Sequence, residues 1–225
     1  LLEDGVVPVV TGFICATQDG TPATLGRGGS DYSATIIGAV LDSDEIWIWS
    51  DVDGVLSADP RIVSDAKTIQ YLSYAEAAEF SYFGAKVIHP KTILPAVEKR
   101  IPLRILNSFE PENEGTRIVA DPPPNGHVVK GISSIRGVSE ITVEGRGMLG
   151  IPGIAARVFG AVAEEGVSVL MISQSSSEQS ICFIVPEDAA ARTLTALESA
   201  FEYDMLRHNV ERVWSQDDVA ILSVV

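Results

Sequence analysis

Two hydrophobic rhythms alternate along the first 120 residues. Short apolar runs at Val6 to Cys15, Glu45 to Trp49 and Pro102 to Asn107 predict strands, the first opening with a run, Val6 to Val10, typical of a strand buried on both faces. Between them, apolar residues recur at helical spacing and predict helices at Ser30 to Leu41, Ser73 to Phe83 and His89 to Lys99. The second helix opens Ser73-Tyr-Ala-Glu76, a capping-box pattern that offers partners to its first free N–H groups. The third carries Pro90 in its first turn, where a missing N–H costs nothing. Strands alternating with helices predict an α/β domain with a largely parallel sheet. The first strand, Val6-Val-Pro-Val-Val10, needs neighbours on both sides, and the chain opens Leu1-Leu2-Glu3 without Met, so sequence ahead of it is expected.

Asp121-Pro-Pro-Pro-Asn-Gly126 breaks this periodicity, because consecutive prolines neither donate to a ladder nor continue a helix. The expected boundary lies there, with residues 1–120 before it and 121–127 as linker. Residues 128–216 then predict strands at Glu140 to Glu144, Val167 to Ser173, Ser180 to Val185 and, weakly, Val210 to Trp214. Helices at Ile154 to Glu164 and Asp188 to Phe201 fall between them. The order strand, helix, strand, strand, helix, strand is the ferredoxin-like α+β pattern. Residues 217–225 close on a further apolar run, expected to be the first strand of another unit.

Composition narrows the functional classes. The chain has 225 residues and a formal charge of −15, with no cluster of Lys and Arg, which argues against a nucleic-acid partner. No apolar run approaches the roughly 20 residues that span a bilayer, so no membrane partner is expected. The only two cysteines, Cys15 and Cys182, lie in apolar strand-like runs, which points to buried free thiols, a cytoplasmic setting and no metal site.

Three segments carry candidate chemistry. Leu25-Gly-Arg-Gly-Gly-Ser-Asp31 opens a helix, so backbone N–H groups at the positive end of a helix dipole suit an anion. Arg27 adds a planar fork for a carboxylate, Ser30 a hydroxyl, and Asp31 a partner for an ammonium group or a metal. A plain glycine-rich turn with Ser30 as helix cap is the alternative. Trp49-Ser-Asp-Val-Asp-Gly-Val-Leu-Ser-Ala-Asp-Pro-Arg61 follows a strand, the place where α/β proteins put ligand contacts, or else is a solvated turn. Phe83-Gly-Ala-Lys-Val-Ile-His-Pro90 supplies Lys86 as a phosphate contact, while His89, beside Pro90 and without a nucleophile to activate, reads as structural.

In order and spacing these segments, together with Leu72-Ser-Tyr-Ala-Glu-Ala-Ala-Glu-Phe-Ser-Tyr82, resemble the aspartokinases. The resemblance implies part of the amino-acid kinase fold and transfer of the ATP γ-phosphoryl group to the β-carboxylate of L-aspartate. Mg2+ would be held mainly through the nucleotide phosphates. It places Arg27, Gly28, Gly29, Ser30 and Asp31 on aspartate, and Ser50, Asp51, Leu56, Arg61, Lys86 and Val87 on ATP, with Lys86 and Asp31 in catalytic roles. Leu56 stands where the family usually carries Tyr. The family's Lys-Phe-Gly-Gly phosphate-binding segment is not among these residues, so the chain alone is expected to be inactive. The alternative from another class is a non-catalytic amino-acid sensor on a kinase remnant.

Residues 145–178 resemble the ACT domains that regulate aspartokinases, and ACT domains commonly pair edge to edge, which implies a homodimer. Val169-Leu-Met-Ile172 lacks the acid that lysine-sensitive relatives carry. Ile172-Ser-Gln-Ser-Ser-Ser-Glu178 is similar to threonine-sensitive enzymes, including those fused to homoserine dehydrogenase. The implied effector is threonine rather than lysine, on Met148, Leu149, Gly150, Ile151, Ile172 and Gln174.

Overall fold

A computed structural model describes residues 4–82, 88–124, 128–174 and 179–225. The chain divides into two units, one of Leu1–Ser134 with Leu222–Val225 and one of Ile135–Ile221.

In the first unit a small hairpin, β1 (Ile14–Ala16) with β2 (Pro22–Thr24), leads into helix α1 (Gly29–Val40). Then come β3 (Ile46–Ser50), β4 (Tyr71–Ser73), α2 (Tyr74–Tyr82), a 3-10 turn Pro90–Ile93, α3 (Leu94–Lys99), β5 (Leu103–Asn107) and β6 (Thr116–Val119). The sheet order is β3-β5-β6-β4. β3 runs parallel to β5 and β4 parallel to β6, but β5 and β6 are antiparallel, so the sheet is mixed. Alternate residues of β3 show why one face is a core: Ile46 and Ile48 are buried while Trp47 and Trp49 are exposed. Leu72, Phe80, Ile93, Leu103, Ile105 and Ile118 fill the interior.

One expected strand is overturned. Val6–Val10 form none, and Val7 and Val9 are 85% and 96% exposed. Among the described residues no strand pairs with this run, and an apolar run without a ladder has nothing to bury itself against. The third expected helix divides into the 3-10 turn and α3, with His89 as cap: its Nδ1 accepts from the Lys91 N–H at 3.3 Å. The capping box of α2 forms, Ser73 N–H donating to Glu76 at 2.7 Å and Glu76 N–H to Ser73 Oγ at 3.2 Å. Burial pushes the Glu76 carboxyl up, but the Lys130 ammonium at 2.8 Å and the Ser73 bonds outweigh it and hold it below its ordinary value.

The second unit is built from β7 (Ile132–Glu144), α4 (Ile154–Glu164), β8 (Met171–Gln174), β9 (Ser180–Pro186), α5 (Ala190–Leu206) and β10 (Arg212–Val224), with the start of β7, through Ser134, and the end of β10, from Leu222, belonging to the first unit. Its sheet order, β10-β7-β9-β8, is that of a ferredoxin-like fold. Ile141, Val143, Val158, Phe183, Leu197 and Phe201 are its buried centre. Arg157 of α4 reaches α5, donating to the Ala200 carbonyl and to Asp204 at 2.7 Å each, with its guanidinium 4.4 Å from the Phe201 ring centre. No break separates a weak fourth strand from a closing one: both belong to β10, in which exposed and partly buried positions continue through Asp217 and Asp218. Ser139 donates to Asp217 at 2.7 Å, which gives that acid a partner inside the sheet. Among the described residues no helix is long and apolar enough to cross a membrane.

Candidate functional site

The glycine-rich segment forms a turn into α1. Gly28 caps the helix in the left-handed region, with φ 72° and no side-chain cap, so Ser30 is not the cap but an exposed residue of the first turn. A Cβ on Gly28 would lie 2.9 Å from Thr92 Cγ2, and one on Gly29 would lie 2.8 Å from the Phe13 ring. Both glycines therefore let the turn close on its neighbours as well as bend. Phe13 itself has φ 72°, a conformation that costs a bulky side chain about 1–3 kcal/mol and marks a constrained site. The Ser33 hydroxyl accepts from its N–H, and its carbonyl accepts from Leu25 N–H at 2.9 Å. Sequence reasoning missed Phe13, since a strand reading hides a positive-φ residue. Arg27 is exposed, and Asp31 is half-buried in the first turn.

Burial raises the Asp31 carboxyl above its ordinary value. The folded state then holds the proton more tightly than the unfolded one. Stability is greatest below the unfolded pKa and falls as pH rises through the raised folded one, after which the penalty is constant. Asp31→Asn removes that ionisation. It should raise the thermal midpoint at pH 7 and flatten this descent in a series of melts from pH 3 to 7; equal midpoints at pH 7 would contradict the assignment.

Ser50, Asp51, Leu56 and Arg61 converge on one cavity of about 360 Å3. Lys86 and Val87, expected on the same ligand, lie outside the described residues. Ser50 ends β3, and its carbonyl accepts from Ser108 N–H at 2.8 Å. Asn107, its partner across the β3–β5 ladder, donates to Asp53 at 2.6 Å and accepts from Phe109 N–H at 2.9 Å, which ties the acidic loop to the sheet. Thr116 Oγ, buried, accepts from Val55 N–H at 2.8 Å and donates to the Ile69 carbonyl at 2.7 Å. The loop is thus pinned at Asp53 and Val55, on either side of Gly54 and just before Leu56. Asp59 grips Arg61 by two guanidinium bonds, at 3.0 and 2.7 Å, and accepts from its N–H at 2.9 Å. That hydrogen bonding and the nearby negative charge push the guanidinium further toward its charged form. An oriented, exposed cation in the wall of a cavity suits phosphate. Sequence reasoning missed Phe80 and Ile132–Ser134 in the wall. Phe80 reads as one more apolar helical position, and two serines after a linker read as loop.

A second cavity, also of about 360 Å3, lies in the ferredoxin-like unit. Met148, Gly150, Ile151 and Gln174 line it, as expected from the sequence, together with Gly153–Ala155 at the start of α4. Leu149 and Ile172 do not: they are 58% and 56% exposed. Gly153 caps α4 with φ 92° and no side-chain cap bond, so the first N–H groups of the helix face this space without a side-chain partner. Among the described residues no group of three His, Cys, Asp or Glu is placed to hold a metal.

Comparison with known proteins follows the same division. Residues 1–107 match the amino acid kinase family and residues 141–201 an ACT domain. The chain is 44% identical over 230 aligned residues to bifunctional aspartokinase/homoserine dehydrogenase 2, chloroplastic, of Arabidopsis thaliana. The match takes in all of this chain and 25% of that protein, so the chain spans about a quarter of that relative. Among solved structures, Clostridium acetobutylicum aspartate kinase matches with TM-score 0.81 at 29% identity, over 95% of this chain and 49% of that one. E. coli aspartokinase III matches over 95% of this chain. With lysine and aspartate bound it gives TM-score 0.72 at 35% identity over 46% of its own chain, and with aspartate and ADP 0.71 at 34% over 47%.

Proposed function

From a chain that belongs to the aspartokinase family, we propose the nucleotide site and part of the aspartate site of an ATP-dependent aspartate kinase, joined to a threonine sensor. In this reading residues 1–120 form the kinase part and 128–216 the ACT domain. The observation that carries it is the convergence of Ser50, Asp51, Leu56 and Arg61, from separate parts of a long loop, on one cavity closed by the Asp59–Arg61 clamp. Arg61 meets the phosphates, and Ser50 and Asp51 meet the nucleoside. Mg2+ would arrive with the nucleotide, held mainly through its phosphates.

Arg27 and the N–H groups at the start of α1 receive a carboxylate of aspartate, and Asp31 pairs with its ammonium group. Transfer relies on positioned positive charge at the moving phosphoryl group, with Lys86 as its contact on this chain. Without the Lys-Phe-Gly-Gly segment of the family, turnover falls away. The chain is expected to bind Mg·ADP yet release no ADP from ATP and aspartate in a coupled assay. Turnover well above background would overturn the claim of inactivity, and absence of ADP binding would overturn the nucleotide site.

In the ACT domain the effector's carboxylate meets the α4 N-terminus, and Gln174 hydrogen-bonds its polar side chain. The described lining residues are uncharged, so none offers a carboxylate to a lysine side chain. β8 is an edge strand with all four residues exposed, which favours pairing of two ACT domains into a homodimer. The two free cysteines fit a reducing, cytoplasmic setting. Titration calorimetry should give heat with threonine and little with lysine. Gln174→Ala should weaken threonine by roughly tenfold, the loss of about one hydrogen bond. Preference for lysine would overturn the effector assignment.

A further inference from the structure

Ser133 stands in the wall of the Ser50–Arg61 cavity. It is 7% exposed, and its Oγ is buried with no hydrogen-bond partner. Buried hydroxyls in folded proteins are nearly always paired, so an unpaired one on a residue that lines a cavity is a place for a ligand atom to complete the bond. The backbone around it is fixed. Ile132 N–H donates to the Ser57 carbonyl at 2.8 Å, and Gly131 exchanges hydrogen bonds with Val225, donating at 3.1 Å and accepting at 3.0 Å. A Cβ on Gly131 would lie 2.6 Å from Ser57 O and 2.9 Å from Phe80 Cζ, which shows how closely this stretch is pressed on the Ser57 loop and the Phe80 ring.

The wall of the cavity mixes two chemistries. Arg61, held by Asp59, is its basic side chain among the described residues, and Leu56, Phe80 and Ile132 give it apolar surface, Ile132 beside Ser133 in the chain. Phosphate oxygens need cations or many N–H donors, while a planar base packs on aliphatic and aromatic surface and asks for a few placed polar groups. A serine hydroxyl both donates and accepts, so it can meet a ring nitrogen, an exocyclic amine or a ribose hydroxyl. We propose that Ser133 is a nucleoside-binding residue whose hydroxyl hydrogen-bonds the base or ribose of the nucleotide, an inference that rests on reading this cavity as the nucleotide site. The expected contacts inside the Trp49–Arg61 motif then have a partner more than 70 positions later in the chain.

The test is binding of Mg·ADP and of inorganic tripolyphosphate to the 225-residue chain, its Ser133→Ala form and its Ser133→Cys form, with thermal midpoints of all three. Ser133→Ala should weaken ADP about three- to tenfold, the range for one neutral hydrogen bond. It should leave tripolyphosphate unchanged and leave the ligand-free midpoint equal or higher, because an unpaired buried hydroxyl is removed. Ser133→Cys, nearly isosteric and a weaker donor, should fall between. Unchanged ADP affinity in Ser133→Ala, with wild-type binding intact, overturns the inference alone, as does an equal loss for tripolyphosphate. Failure of the wild-type chain to bind ADP overturns the reading of the cavity, and the inference with it.

Discussion

Gly115→Ala should be among the most damaging single-methyl substitutions in this chain. Gly115 sits at the turn into β6 with φ 64°, and a Cβ there would lie 1.9 Å from the Ile105 carbonyl oxygen. A flexible side chain can move aside, but that oxygen belongs to β5, which pairs with β6 at this point through Ile105 and Thr116. Relief requires opening the β5–β6 ladder. The left-handed conformation costs a non-glycine residue about 1–3 kcal/mol, and overpacking adds a similar amount. We expect a loss of about 3–5 kcal/mol, a large share of the stability of an ordinary domain. The consequence reaches the Ser50–Arg61 cavity, because Thr116, the next residue, holds Val55 N–H and the Ile69 carbonyl. Urea denaturation followed by far-UV circular dichroism should show the first unit melting far earlier, with weakened ADP binding under conditions where it is still folded. A loss below about 1 kcal/mol would contradict the close approach.

Arg61→Ala should weaken Mg·ADP by about ten- to a hundredfold, the range for losing a charge-assisted contact to phosphate. Its effect on folding should be small, since the side chain is 82% exposed and its partner Asp59 lies two residues away on the same loop. The contrast with Gly115→Ala is diagnostic: one variant loses the fold and the ligand together, the other the ligand only. Arg61→Lys should recover part of the affinity, because an ammonium supplies charge without the planar fork. Competition calorimetry across the three proteins makes the comparison. Equal affinities would remove Arg61 from the site.

Much of this architecture was legible in the sequence because local signals and tertiary structure agree. The α2 cap was written in Ser73 and Glu76 and formed as written. The helices and strands of the ferredoxin-like unit follow from apolar periodicity, since each buries one stripe or face in the same core. What was not legible depends on partners distant in sequence. Val6–Val10 has the composition of a central strand but pairs with nothing described, so its exposure cannot be read from the run itself. β4 and β6, only three and four residues long, are too short to show a period. β10 runs through Asp217 and Asp218, where the sequence predicts the start of another unit, and Ser139 on a neighbouring strand supplies Asp217 with a partner.

The candidate site shows the same division. Residues within one contiguous loop, Ser50 to Arg61, could be grouped from the sequence, and the cavity collects them. Phe80 and Ser133 could not, because an apolar helix position and a serine after a proline-rich linker carry no mark of what they face. In the ferredoxin-like unit Met148, Gly150, Ile151 and Gln174, grouped from their motifs, line one cavity. Leu149 and Ile172 did not join them: both side chains are largely exposed, and Ile172 stays outside although it lies two residues from Gln174 on the same strand.

Amide chemical-shift mapping of the isotopically labelled chain during titration with Mg·ADP tests the central claim most directly. The account predicts saturable shifts centred on Ser50, Asp51, Gly54, Leu56, Arg61 and Ser133, with Met148–Ile151 and Gln174 responding to threonine in a separate titration. Absence of saturable shifts, or shifts centred away from the Ser50–Arg61 loop, would contradict it.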